Sequence, residues 1–404
     1  MPTFTQATLI CTSLALIATG CSSSTSPQAQ LDYEGKTYAN VSTAEAEAFA
    51  DEFYDAIHEG DVGACALLFD MNEVLDQVTA GVDVPEEFRK GFLNGARSSI
   101  QSTGLLAQLT QAVREGASYE LLRLYEQDGE QHVVFRMLMD EGGVNYHDFR
   151  VVKTSAGKVS AVDTRIAATG ENFTRTLRRM YISAARSVNR SALERLAGAD
   201  ADAAAASDLM VKMAQEVQTG NVHKIVSSFE AAPESVQKDK SLLLMYCQAA
   251  MQTENDATYM KALETFRKHH PDDPAVEFLS LDWLTMKERY DDALKSLDKI
   301  NKSVGGDGYL DSLRAELLYT KGEVDSALQT AESAMTECPD LINPYWTALG
   351  LNLQSQKWTR VTELLITLDQ KFDMEFEDLR TVPEYAGYAA TPEHQRWLEY
   401  LGSR

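Results

Sequence analysis

The sequence predicts an α+β domain near the N-terminus followed by an all-α repeat region, and three observations support this prediction. Apolar residues have a helical spacing from Thr43 and an alternating spacing from Tyr119, which indicates that helices precede strands. After Asp208 the strand signals end. In the C-terminal half, apolar residues recur at a step of 34 residues, which is typical of stacked helix pairs.

Composition and charge limit the kinds of partner. The 404 residues include 61 acidic and 37 basic side chains, for a formal net charge of −24. Such an acid excess repels phosphate backbones, so we expect no nucleic-acid partner. It also argues against a polybasic attachment to anionic lipid. Five cysteines in so long a chain do not form a disulfide scaffold.

The N-terminus has the features of an export signal. Ala7–Ala18 is an uncharged, mostly apolar stretch of 12 residues, whereas a membrane span needs about 20. Small residues lead directly into Cys21, and a serine-rich segment from Ser22 follows. This order resembles the lipobox of bacterial lipoproteins. The resemblance implies cleavage before Cys21 and lipidation of Cys21.

The same resemblance implies a location. Ser22 after the cysteine favours the outer membrane, on the side that faces the periplasm, and several acyl chains on one cysteine give stable anchoring. No Lys or Arg precedes Lys36, so the usual basic start of an export signal is missing. The alternative is an ordinary secretory signal with a cysteine at this position by chance.

Helices open the mixed domain. Ser42 and Glu45 have the spacing of a capping box, and an apolar stripe follows them, which predicts a helix over Thr43–His58. A short helix is expected over Val62–Phe69, and Pro85 suits the first turn of another helix.

Alternating residues then predict an antiparallel meander. Turn sequences such as Asp128-Gly129 separate the extended runs. The predicted strands are Tyr119–Glu126, Gln131–Met139, Val144–Lys153 and Val159–Ala168. Helices followed by a curved antiparallel sheet, over Ser42 to Ile182, resemble the NTF2-like fold. That resemblance implies either an isomerase or dehydratase, or a non-catalytic binding module.

One face of this sheet offers a candidate pocket, lined by Phe135, Met137, His147 and Phe149. His147 could act there as a general base. Asp148 cannot assist it, because neighbouring strand residues point to opposite faces; with Arg136 or Arg150 it is expected to form a surface ion pair. The alternative for His147 is a buried histidine without a chemical role. We predict no catalytic residue.

Columns of apolar residues define the repeat. Ala293, Ala327 and Val361 are 34 residues apart, and so are Leu281, Ala315 and Leu349. This period resembles that of the tetratricopeptide (TPR) family and predicts four or five helix pairs, with a longer turn near Glu254. Stacked pairs shelter each other's apolar faces. The alternative is an irregular helical bundle with an accidental period.

Positions spaced i, i+4 and i+7 on each first helix share one face. In the TPR family this row lines a concave groove for peptides or partner helices. Here it combines aromatic side chains with carboxylates, which suits an extended basic or amphipathic protein segment; the alternative is that part of it belongs to the core. We name the following residues the first-helix row: Phe278, Asp282, Thr285, Ser312, Glu316, Tyr319, Trp346 and Leu353.

No motif indicates a metal or a cofactor. His269 and His270 lack a spaced third ligand, and no Lys-Ser/Thr pair follows the glycines at Gly305-Gly306. Cys65, Cys247 and Cys338 are expected to behave as small apolar residues, and a disulfide among them stays open.

The expected segments are a signal peptide (1–20), a lipidated tether (21–41), the NTF2-like domain (42–190), a connector (191–207), the TPR-like superhelix (208–376) and a capping segment (377–404). The expected function is non-catalytic: a membrane-anchored scaffold or adaptor in the bacterial cell envelope that binds a protein. The alternatives are a small-molecule-binding or enzymatic NTF2-like domain with repeats that serve localisation or oligomerisation, and a structural component of a larger assembly.

Overall fold

A computed structural model of the chain describes residues 38–102, 104–139, 143–154, 157–186, 201–271 and 273–403. The expected signal peptide, Cys21 and nearly all of the tether lie outside these residues, as does most of the expected connector. The chain divides into two compact units, Met1–Leu279 and Ser280–Arg404. The domain boundaries expected from the sequence stay predictions.

Helices come first in the first unit, and α1 begins where the capping box predicts. The Ser42 side chain accepts a hydrogen bond from the backbone of Glu45, and the Glu45 carboxylate accepts one from the Ser42 backbone at 3.0 Å. Gly60, in the left-handed region at φ 71°, ends α1. The helices before the sheet are α1 (Thr43–Glu59), α2 (Val62–Leu67), α3 (Met71–Thr79), α4 (Glu86–Ser102) and α5 (Leu105–Arg114).

The described residues then form a five-stranded antiparallel sheet in the order β1-β2-β3-β4-β5. Asp128 and Gly129 have φ angles of 53° and 80°, as a two-residue hairpin turn requires. The prediction of a mixed α+β first half is confirmed, with strand ends within two residues. The strands are β1 (Ser118–Gln127), β2 (Glu130–Leu138), β3 (Val144–Lys153), β4 (Val159–Ile166) and β5 (Glu171–Asn172), followed by α6 (Phe173–Arg186).

Aromatic rings fill the space between α1 and the sheet. The ring of Phe53 on α1 lies 4.8 Å from that of Phe149 and 5.5 Å from that of Phe135, measured between centroids. The Tyr119 ring stacks on Phe135 at 5.0 Å. All four side chains are fully buried, so these rings form the centre of the core of the mixed α+β region.

The rest of the described chain is helical, and its helix starts keep the 34-residue step. First helices begin at residues 240, 274, 308 and 342, and second helices at 222, 256, 290, 324 and 358. The helices are α7 (Ala201–Gln218), α8 (Val222–Glu230), α9 (Glu234–Gln237), α10 (Lys240–Gln252), α11 (Asp256–His269), α12 (Pro274–Met286), α13 (Tyr290–Val304), α14 (Gly308–Lys321), α15 (Val324–Glu337), α16 (Ile342–Gln354), α17 (Trp358–Phe372), α18 (Ala386–Ala389) and α19 (Pro392–Gly402).

A left-handed residue marks the turns of this repeat at the same step. The residues with positive φ in these turns are Gly220, Glu254, Glu288, Gly322 and Gln356. The longer turn expected near Glu254 is wrong, because residues 253–255 match residues 287–289 in length. The left-handed residue closes the first helix, so the chain can reverse within three residues.

Within the second unit, the repeat columns are buried and the C-terminal segment packs against them. Ala315, Ala327, Leu349 and Val361 are fully buried. Leu379, Tyr385, Tyr388 and Trp397 of the C-terminal segment belong to the same apolar cluster. The last helix of the described chain, α19, lies within the capping segment expected over residues 377–404. The segment therefore covers the apolar side of the last helix pair, as a terminal cap does.

Candidate functional site

The first-helix row is the candidate binding surface, and most of it lies in the second unit. Thr285 stands on α12, Ser312, Glu316 and Tyr319 on α14, and Trp346 and Leu353 on α16. Phe278 belongs to the first unit. The side chain of Asp282 lies outside the described residues.

Two members of the row belong to the core. Ser312 is 2% exposed and Leu353 is 7% exposed. The Ser312 hydroxyl donates to the carbonyl of Gly308 at 3.2 Å, within its own helix. Thr285, Glu316, Tyr319 and Trp346 keep part of their surface in solvent. The face available to a partner is therefore narrower than the sequence pattern suggests.

The chain itself covers a third position. The Trp346 ring packs against the ring of Phe376 at 5.9 Å between centroids, and Phe376 in turn meets Trp397 edge-on at 5.5 Å. Phe376 follows α17, and Trp397 lies on α19. The C-terminal segment thus packs against the end of the row at Trp346.

Phe278 is covered in the first unit. It is 7% exposed, and its ring centroid lies 6.3 Å from that of Tyr146 on β3. Tyr146 points to the outer face of the sheet, because its neighbour His147 points into the core. Phe278 therefore packs on the sheet of its own chain, and we leave it out of the binding surface.

Glu316 is the row residue with the most unusual surroundings. Its carboxylate accepts a hydrogen bond from the Thr347 hydroxyl at 3.1 Å, which joins α14 to α16. Burial raises the pKa of the Glu316 carboxyl, and the Thr347 hydrogen bond offsets this only in part. Tyr319 lies one turn further along the same face of α14.

Inside the sheet domain, the four candidate pocket residues are packed rather than open. Phe135 and Phe149 are fully buried, His147 is 1% exposed and Met137 is 4% exposed. Phe135 and His147 are direct cross-strand partners, as their alternation predicts. The ring of Phe53 fills the space above them.

His147 sits in a nonpolar setting. Burial lowers its pKa to about 3, so the ring is neutral at physiological pH. Its Nε2 lies 3.4 Å from the Asn145 side-chain nitrogen, and its Nδ1 has no hydrogen-bond partner among the described residues. A general base works best with a pKa near the operating pH, so this environment does not favour proton transfer by His147.

The outer face of the sheet carries a polar network that sequence reasoning missed. Asp148 accepts a hydrogen bond from the Tyr125 hydroxyl at 2.5 Å and lies 2.8 Å from Nδ1 of His132. Arg150, a predicted partner of Asp148, pairs with Glu130 at 3.1 Å. The turn sequence could have predicted part of this network, because a two-residue turn at 128–129 places Tyr125 opposite His132.

Metal and membrane features are absent from the described part of the chain. No group of three metal-ligating side chains occurs among these residues. His270 is engaged instead, with Nε2 at 2.8 Å from the Lys238 carbonyl. No helix in the described ranges has the length and apolar character needed to cross a membrane. Among the described residues, Cys65, Cys247 and Cys338 form no disulfide.

An open depression in the second unit lies between the first turn of α17 and Glu393 of α19. Arg360, on its rim, is engaged by Glu332 at 2.5 Å and by Glu363 at 2.8 Å. Arg360 and Glu363 of this depression are therefore already paired.

Comparisons with known proteins identify no relative. No protein-family model matches the chain, and neither curated proteins nor solved structures give a significant match. The candidate site therefore rests on the geometry above.

Proposed function

We propose that this chain is a lipid-anchored envelope protein that holds or recruits another protein through a TPR-like array, without catalysing a reaction. The observation that carries the proposal is the 34-residue recurrence of helix pairs, each with a left-handed residue in its turn. Stacked helix pairs leave extended surfaces, and such surfaces serve protein binding in repeat proteins.

The proposed binding surface is the part of the first-helix row that stays accessible: Thr285, Glu316 and Tyr319. Tyrosine is common at the centre of protein interfaces, because it offers apolar area together with a polar end. The combination suits an amphipathic or basic protein segment.

The proposed location follows from the N-terminus. Cys21 is the proposed lipidated residue, and the lipid would hold the protein at the outer membrane, on the side that faces the periplasm. In the sequence, the domain proposed as NTF2-like follows Cys21 and precedes the array.

Affinity capture from envelope extract tests the proposal, with Tyr319→Ala as the variant and Gln329→Ala as the matched control. Gln329 is an exposed residue of α15, outside the row. We expect a partner that wild type and the control retain and that Tyr319→Ala loses. A partner retained equally by all three proteins would contradict the proposed surface.

A second candidate, a small-molecule site inside the sheet domain, has one observation in its favour. Among the described residues, Tyr119 Oη, His147 Nδ1 and Thr164 Oγ1 are buried without hydrogen-bond partners. Buried polar atoms of this kind are usually satisfied, by protein or by bound water. A crystal structure with density larger than water between these side chains would favour this candidate over the adaptor.

A further inference from the structure

Glu316 combines partial burial with the lack of a cationic partner among the described residues. Asp298 pairs with Arg314 at 2.6 Å, and Glu332 pairs with Arg360 at 2.5 Å, and both acids are well exposed. Glu316 is more deeply placed, yet its described partner is the Thr347 hydroxyl. Among the described residues, no Lys, Arg or His lies within ion-pair distance of its carboxylate.

This arrangement is costly for the free chain. A buried carboxylate loses its hydration, and one neutral hydroxyl does not replace it. The raised pKa of Glu316 has the same cause. A half-buried carboxylate without an opposite charge is therefore a candidate site for a cationic group from another molecule.

The surroundings limit what that group can be. A metal ion needs several oxygen or nitrogen ligands, and the described residues offer no such cluster here. Tyr319 presents an aromatic ring one turn away, and an aromatic ring attracts a cation and the aliphatic stem that carries it. A lysine or arginine side chain meets both demands.

We propose that Glu316 determines the specificity of the first-helix row by pairing with a lysine or arginine side chain of the bound protein segment. This inference rests on the proposed function, because it assumes that the row binds a protein. It adds the chemistry of the partner: a segment with one cationic side chain at a fixed position among apolar residues.

Selection of random peptides displayed on phage tests this inference, with wild type, Glu316→Gln and Glu323→Gln as targets. Glu323 is a well-exposed glutamate that follows α14 and pairs with Lys321, so it controls for loss of charge alone. We expect peptides selected on wild type to share a Lys or Arg at one position. Glu316→Gln should weaken their binding at least tenfold, and Glu323→Gln should leave it unchanged.

Different results would contradict the inference about Glu316 and the proposed function. Selected peptides that Tyr319→Ala weakens but Glu316→Gln does not would overturn the inference and leave the proposed function. Failure to select any peptide that Tyr319→Ala weakens would contradict the proposed function itself.

The stability of the free chain gives an independent test. The pKa of Glu316 is higher in the folded chain than its ordinary value of 4.5. The favourable contribution of Glu316 to the free energy of unfolding is therefore complete below pH 4.5 and is lost as the pH rises. Glu316→Gln should therefore raise the Tm at pH 7, and the two Tm values should converge near pH 4. A lower Tm for Glu316→Gln at pH 7 would show that the carboxylate has an internal partner, which would overturn the inference.

Discussion

Burial sets the chemistry of two titratable residues, His147 in the sheet domain and Glu316 in the helical array. In both cases the charged form loses hydration, so the pKa of the histidine falls and the pKa of the glutamate rises. His147 is enclosed by the chain's own aromatic rings, among them Tyr119 at 5.7 Å between centroids. Glu316 keeps part of its surface in solvent, so it can meet a partner.

His147 makes the stability of the first unit depend on pH. The pKa of His147 is about 3 in the folded state and 6.5 in the unfolded state. The contribution of His147 to the free energy of unfolding is therefore complete above pH 6.5 and is lost as the pH falls. When the pH falls from 7.5 to 5, we expect the free energy of unfolding of the wild type to decrease by about 2 kcal/mol. The His147→Phe variant should not show this decrease.

Urea unfolding at the two pH values, followed by circular dichroism, measures this difference. His58→Gln is the control, since His58 is exposed at the end of α1. Equal pH dependence in wild type and His147→Phe would show that His147 is not buried as a neutral ring.

Sequence reasoning was most successful for elements whose spacing is regular. Strand alternation predicted that Phe135 and His147 share a face, and the 34-residue step predicted the helix pairs. It missed β5, which has only two residues, and the short helix α3. Contacts between distant elements, such as Phe278 with Tyr146, leave no periodic signal, so the covered part of the candidate site could not be predicted.

Gly170 lies where the sheet packs closely against helical residues of the first unit. It has a φ of 62°, and a Cβ atom there would overlap Asp273 Oδ1 and lie 3.0 Å from Lys240 Nζ. Asp273 pairs with Lys240 at 2.5 Å and also accepts from the Ala275 backbone at 3.0 Å. A side chain at residue 170 must therefore displace both an ion pair and a helix cap.

We expect Gly170→Ala to lower the free energy of unfolding by about 2–3 kcal/mol, from backbone strain and this overlap. Gly220→Ala is the matched control, because Gly220 has a φ of 68° with open space around it. It should cost about 1 kcal/mol. Chemical denaturation measures both values, and equal losses would mean that the contact with Asp273 and Lys240 contributes nothing.

At the scale of the whole molecule, we expect that the unfolding of each compact unit can be measured separately. All four tryptophans (Trp283, Trp346, Trp358 and Trp397) lie in the second unit. Phe53→Ala removes a fully buried ring from the first unit, at an expected cost of about 3–5 kcal/mol. In chemical denaturation of this variant, we expect circular dichroism to show a transition at lower denaturant concentration than in the wild type. Tryptophan emission should keep its wild-type midpoint. A shift of equal size in both signals would contradict separate unfolding of the units.

The proposed lipid anchor gives a prediction for the full-length chain in cells. Cys21→Ser should move the protein from the membrane fraction to the soluble fraction, because no acyl chain can be attached. Cys11→Ser, within the apolar stretch of the expected signal peptide, is the control and should stay with membranes. Retention of Cys21→Ser in the membrane fraction would remove the anchor from the proposed function.

Site-specific photo-crosslinking in intact cells is the most direct measurement of partner binding by the array. A photoreactive amino acid would replace Thr285 or Tyr319 in the first-helix row, and Gln329 or Gln370 on exposed faces of second helices. We predict that the two row positions form a crosslink to the same protein and that the two second-helix positions do not. Crosslinks of equal yield from all four positions, or none from the row, would contradict the proposal that the first-helix row binds a partner.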